Sequence, residues 1–155
     1  MKRIGADEQA LHFQLNERER DALVQILQSY PVLPPAHHAV SKQWPEAQVA
    51  EYQRLLDEAL AEQRAANQQH LQAWLAAPGR FHQSKAWFSL TLDRGDVEWL
   101  LQVLNDIRVG NWLRLGSPDF SDGPPENIDP ALLPAWAGME LSAYFQLNIL
   151  DALEN

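Results

Sequence analysis

The sequence predicts a mainly α domain with a small β element: a bundle of about four helices around a central buried helix at 93–115, capped by a two-stranded β-ribbon that pairs 10–15 with 86–92. Three observations predict it. The stretch Asp93–Leu115 is apolar over most of a helical circumference, which places it inside a core rather than on its rim. The segment that closes the chain is apolar nearly all round (Trp136, Met139, Leu141, Ala143, Tyr144, Phe145, Leu147, Ile149, Leu150, Leu153) and is expected to pack directly on it. Two short segments, each leading into a helix, alternate with period two and read as half-buried strands.

The first strand is Ala10–Leu15, with Leu11, Phe13 and Leu15 on one face and His12 and Gln14 on the other. Asn16 follows as a helix cap, and Glu19 three residues on completes an N-x-x-E capping box. Leu23, Val24, Ile26, Leu27 and Tyr30 carry that helix to Pro31, which ends it. The Pro-rich connection 31–45 cannot hold regular structure for long. From Pro45, suited to a first helical turn, no breaker occurs until Pro78-Gly79. An unbroken helix of that span would be about 50 Å long, and its polar middle, A-E-Q-R-A-A-N-Q-Q-H, is where a bend or break is expected. The second strand, Ala86–Leu92, sets Phe88, Leu90 and Leu92 on one face, and Asp93 caps the central helix with Asp96 at its third position. A second loop rich in Gly, Pro and Asp follows Leu115, and Pro130 and Pro134 open the last helix.

An internal echo links the two halves. The segments from Phe13 (F-Q-L-N-E-R-E-R-D-A-L-V-Q-I-L) and from Leu90 (L-T-L-D-R-G-D-V-E-W-L-L-Q-V-L) align without gaps, so that Leu15, Leu23, Gln25 and Leu27 match Leu92, Leu100, Gln102 and Leu104. This is either a repeated strand–cap–helix unit or the ordinary appearance of a strand-to-helix turn. In both cases the two strands need a partner, each other is the nearest choice, and such a ribbon is stable only when packed on helices.

Composition bounds the function. At 155 residues the chain fits one domain, 1–155, with a sizeable core, and 46% hydrophobic against 21% charged residues is ordinary for a globular protein. A net charge of −9 with only 12 Lys and Arg argues against nucleic acid, since phosphate binding needs clustered cations. No run of about 18 apolar residues suits a membrane span, and the first ten residues lack the apolar centre of a signal peptide. With no Cys there are no disulfides, thiolates or Cys-type zinc sites, which fits a cytoplasmic protein.

The polar residues of the central helix attract notice. Stepped at about 100° per residue, Glu98, Gln102, Asn105 and Asp106 form a narrow polar stripe. Arg108, Asn111 and Arg114 fall instead within the arc of Val97, Leu100, Leu104 and Ile107, and a helix regular past Gly110 points them at the core. A buried guanidinium must be paired. Asp106 faces elsewhere, so the expected mate is a carboxylate from another element: Glu140 first, then Asp119 or Asp122. Two readings follow. Either Arg108 ties the last helix or the second loop to the core, or Arg108, Asn111 and Arg114 line a cleft for an anion or a partner's backbone, with Asn105, Asp106 and Glu140 beside them.

Other patterns are poorer. His37-His38 lacks further ligands at a recognised spacing, His70 reads as a surface residue, and the loop of Asp119 and Asp122 lacks calcium-loop spacing. No nucleophile elbow, dinucleotide fingerprint or phosphate loop occurs. No catalytic constellation, cofactor or metal is therefore expected.

The segment V-L-N-D-I-R-V-G-N-W-L-R-L-G, from Val103 to Gly116, resembles the signature of a bacterial domain-of-unknown-function family with an L-N-D-[IVL]-R motif, often encoded beside the ClpS proteolytic adaptor. The matching pieces are Leu104–Arg108 and Arg114–Gly116, about a tenth of the chain. Where members of that family run Leu-Gly-Thr-Arg-Leu, this chain has Gly110-Asn111-Trp112-Leu113-Arg114-Leu115. The resemblance implies no activity, only an association with regulation or protein quality control. The expected function is a non-catalytic protein-binding or regulatory module acting on another protein or on itself as a homodimer, without nucleic acid or membrane. The alternative is a small-molecule or anion-binding domain, conceivably an enzyme, built around Arg108.

Overall fold

A computed structural model describes residues 1–7, 9–33, 46–119 and 127–154. In chain order the elements are β1 (Lys2–Ala6), β2 (Ala10–Asn16), α1 (Glu17–Gln28), α2 (Glu46–Ala76), β3 (His82–Ser84), β4 (Trp87–Asp93), α3 (Arg94–Arg114) and α4 (Leu133–Glu154), the last preceded by a 3-10 turn at Pro130–Leu132. The domain is mostly helical with a small antiparallel sheet.

The two alternating segments pair as expected. β2 and β4 are antiparallel with Ala10 opposite Asp93, Phe13 opposite Leu90 and Asn16 opposite Trp87. The sheet is larger than a ribbon, however. β1 adds to β2 and β3 to β4, giving the order β1-β2-β4-β3. Sequence patterning misses both outer strands for physical reasons. β1 carries Gly5 and a register irregularity between Arg3 and Gly5, and β3 has three residues, all exposed; neither shows an alternating apolar face.

Period-two burial tells which side of the sheet is covered. Leu11, Phe13, Leu15, Phe88, Leu90 and Leu92 are buried, while His12, Gln14, Ser89 and Thr91 stay partly or fully exposed. The covered side receives α1, α3 and α4, which touch β2, β4 and β1 respectively. The arrangement is thus a helical layer on one face of an antiparallel sheet, not helices ringed about a centre. Among the described elements, α3 and α4 share the most extensive contact. α3 buries Val97, Leu100, Val103, Leu104 and Ile107, but Glu98, Gln102, Asn105 and Asp106 form an exposed stripe along its length. A two-layer fold has room to wet one side of such a helix; a surrounded helix does not.

The caps follow the sequence closely. Asn16 accepts from the Glu19 amide at 2.9 Å, and Glu19 Oε2 accepts from the Asn16 amide at 2.9 Å, the reciprocal pair of a capping box. Asp93 accepts from the Asp96 amide at 2.8 Å.

α2 is one uninterrupted helix of 31 residues, about 46 Å long, so the polar middle causes no break. Its described buried residues, Leu71 and Trp74, both lie near the C-terminal end, and Tyr52 and Leu55 further up are exposed. The polar middle meets the body through polar contacts instead: Arg64 Nη1 donates to the Leu33 carbonyl at 3.1 Å and Asn67 Nδ2 to the Tyr30 hydroxyl at 3.3 Å. Its lower end is held by Trp74 Nε1 donating to Asp96 Oδ1 at 2.8 Å, by Arg80 on Asp96 Oδ2 at 3.0 Å, and by Trp74 and His70 packed against Trp99. Arg80 also lies over the Trp74 ring at 4.3 Å, a cation–π contact. Pro45 lies outside the described residues.

Candidate functional site

The residues expected to converge near Arg108 occupy three different environments. Asn105 and Asp106 sit on the wet stripe of α3. Arg108 is half-buried, and its Nη2 donates to Asn105 Oδ1 at 2.9 Å, three residues back on the same helix. No ion pair joins it to Glu140, which is exposed on α4; Asp122 lies outside the described residues. Arg108 thus bonds a neighbour on its own helix, and Glu140, the first expected mate, does not pair with it. The reason is angular: Arg108 stands at the edge of the buried arc, and a long side chain there reaches water without crossing the core. Arg114 shares the arc but falls in the last turn, beyond the helices that cover the rest of it, and is exposed.

Asn111 alone is buried as expected, at 5% exposure. Its Nδ2 donates to the Ile107 carbonyl at 2.9 Å, and its amide lies against Gly138 of α4. A Cβ built on Gly138 would stand 2.6 Å from Asn111 Nδ2. The amide is thus a packing element of the α3–α4 contact, turned onto its own backbone. His37 and His38 lie outside the described residues.

A cleft missed by the sequence opens where the β1–β2 turn, the first turns of α3 and the end of α4 meet. It encloses about 440 Å³. Leu11, Leu92, Val97, Leu101 and Ala152 give it apolar walls, and Arg3 and Arg94 also line it. Arg3 is opposite Phe13 in the β1–β2 register, so its side chain takes the covered side of the sheet. Its Nε is buried and has no hydrogen-bond partner among the described residues. Among the described residues two carboxylates border the cleft, Asp7 and Glu98. Asp7 is already engaged: Oδ1 accepts from the Gln9 and Ala10 amides at 2.8 Å each, and Oδ2 lies 3.1 Å from His12 Nε2. Those amides, with His12, hold its carboxyl below the usual aspartate value. The local signal was the turn around Asp7; without β1 recognised as a strand, nothing indicated that Arg3 faced inward.

The outer face of α4 is a second feature. Leu147, Leu150 and Leu153 are 58%, 44% and 55% exposed, and Tyr144 borders them. The Tyr144 hydroxyl donates to Glu19 Oε1 at 2.7 Å, and the Met1 ammonium contacts both groups, tying the N-terminus, α1 and α4 together. Burial acts to raise the Glu19 pKa, but the ammonium, the Tyr144 hydroxyl and the Asn16 amide outweigh it and hold the carboxyl below its usual value. Burial, and then the Glu19 carboxylate, push the Tyr144 hydroxyl up to about 12.

Fold and site together define an α+β protein with a one-sided helical layer, an apolar outer helix and an arginine-bordered cleft. Comparison with protein-family models, with curated proteins and with solved structures returns no match. Among the described residues, no helix is long and apolar enough to cross a membrane.

Proposed function

We propose that the chain is a non-catalytic protein-binding or regulatory module whose docking face is the outer surface of α4. The single observation that carries this is the exposure of Leu147, Leu150 and Leu153 in successive turns of one helix; contiguous apolar surface of this kind marks interaction sites more often than scattered leucines do. The chemistry of the rim selects the partner. Exposed Glu140, Asp151 and Glu154 flank the strip, and α4 contains no Lys or Arg. A second copy would bring acidic rims together at a cost. The fitting occupant is a different protein, presenting an apolar helix or strand with basic flanks. The resemblance of Val103–Gly116 to a family encoded beside the ClpS adaptor supports a role in regulation or protein quality control, in the cytoplasm.

The test is a photo-crosslinking side chain placed at Leu147 in cells that make the full chain, with the same group at Gln102 on the wet stripe of α3 as control. The expected result is an adduct on a basic, apolar segment of another protein, absent from the Gln102 control and lost when Leu150→Glu is added. An adduct only with the chain itself, or none above the control, overturns the proposal.

A further inference from the structure

We infer that the cleft between the β1–β2 turn, α3 and α4 binds a small amphipathic carboxylate, its anionic head on Arg3 and Arg94 and its apolar body against Leu11, Leu92, Val97 and Leu101. Three independent features lead there. The first is volume: about 440 Å³ lies within the range of small-molecule sites. The second is wall chemistry. Leu11 and Val97 line this cleft as well as contributing to the hydrophobic core, so an occupant's apolar body would extend the core's own surface. The third is the state of the cations. The chain carries a net charge of −9 with only 12 Lys and Arg, and two of those cations line this one cleft. Among the described residues neither Arg3 nor Arg94 forms an ion pair, and Arg3 Nε is buried without an acceptor.

The buried Nε–H keeps its demand for an acceptor, and a ligand would meet this guanidinium at its outer Nη groups, which have no acceptor among the described residues. Asp7, which borders the cleft, spends its oxygens on two amides and His12. A ligand carboxylate is planar and accepts two parallel N–H bonds, which matches the guanidinium fork. Arg94 opens α3, so the helix N-terminus adds to the positive potential on that side. Exposed Glu98 across the cleft limits the ligand to a single negative charge; a diphosphate would meet that carboxylate.

The experiment uses the full chain and octanoate as probe, with octanamide as the neutral control of equal length. Methyl and amide NMR shifts are followed on titration, and thermal stability is measured in parallel. The expected result is saturable shifts confined to residues around Leu11, Val97, Leu101 and Ala152, a rise in Tm with octanoate, and binding at least tenfold weaker for octanamide. Arg3→Gln and Arg94→Gln each weaken octanoate binding about tenfold, the loss expected for a charge-assisted bond, while keeping the chain folded. Ala6→Trp, at an exposed strand position bordering the cleft, is a second variant that leaves the core untouched and blocks binding by filling the space. Octanoate and octanamide binding equally, shifts scattered over the surface, or Arg3→Gln binding like the unaltered chain would each overturn the assignment. A failure here leaves the α4 docking face intact, since the crosslink is read at Leu147, away from Leu153, which borders both features.

Discussion

At the scale of single residues, the contact between Asn111 and Gly138 shows how a polar group is accommodated in the helical layer. The Asn111 amide satisfies one donor on the Ile107 carbonyl, and the missing side chain at Gly138 makes room for the rest. Alanine is the better helix former by about 1 kcal/mol, yet a Cβ at Gly138 meets the amide at 2.6 Å. Overpacking of this kind costs about 1–3 kcal/mol. We expect Gly138→Ala to destabilise the chain in urea unfolding, and the double change with Asn111→Ala to be less damaging than the sum of the single ones by about 1 kcal/mol. Gly110 faces the same problem on the other side of α3, where a Cβ would stand 2.8 Å from Val32 Cβ. Asp96 is a second sensitive residue: it accepts from both Trp74 and Arg80. Asp96→Ala leaves two donors at a half-buried site and is expected to cost about 1–3 kcal/mol, with a change in Trp fluorescence as the foot of α2 loosens. Helical phase alone placed Asn111 correctly. It failed for Arg108 and Arg114, because phase does not report where a covering helix ends or how far a long side chain can reach.

Among the elements, the strand–cap–helix echo is visible in burial. Leu15, Leu23 and Leu27 are buried like Leu92, Leu100 and Leu104, and Gln25 is exposed like Gln102. The caps were legible because their signal lies within four residues. The first of them makes stability depend on acid. Glu19 titrates below its usual 4.5 in the folded chain, so the unfolded chain takes up the proton first as pH falls. Its contribution is present above pH 4.5 and lost as pH drops through the lower folded value. Glu19→Gln is expected to flatten that acid limb in pH-dependent urea unfolding. Tyr144 has the opposite sense at the alkaline end: its folded value is raised from 10 to about 12, so its contribution holds below pH 10 and disappears between 10 and 12. Tyr144→Phe should remove that alkaline loss. α2 gives a different signature. Its described burial is confined to the C-terminal end, so amide exchange is expected to be protected over 64–76 and fast over 48–60. Helical periodicity lies along one segment while burial depends on partners distant in the chain, which is why the length of α2 was legible and the confinement of its described burial to one end was not.

Across the whole molecule, the mostly helical class and the β2–β4 pairing could be read from apolar periodicity, because both depend on which residues leave water. The layer arrangement could not. A bundle and a one-sided layer ask the same of Leu100, Leu104 and Ile107, and differ only in whether Glu98, Gln102, Asn105 and Asp106 meet solvent or a neighbour. The core itself is dense: Phe13, Leu90, Leu104, Ile107, Phe145 and Ile149 are almost wholly buried. Leu104→Ala is expected to cost about 3–5 kcal/mol in denaturant unfolding, a large part of the stability of a domain this size.

The pairing of Phe13 with Leu90 has a consequence for biosynthesis. β2, with Leu11, Phe13 and Leu15 on one side, is translated well before its central neighbour β4, because residues 17–86, which include α1 and all of α2, lie between them. Until then that apolar strand has β1 beside it but neither β4 on its other edge nor α3 and α4 over its face, a state that invites aggregation and slows folding. Nascent chains arrested before residue 87 should therefore remain protease-sensitive, and resistance should appear only once β4 and α3 have cleared the exit tunnel.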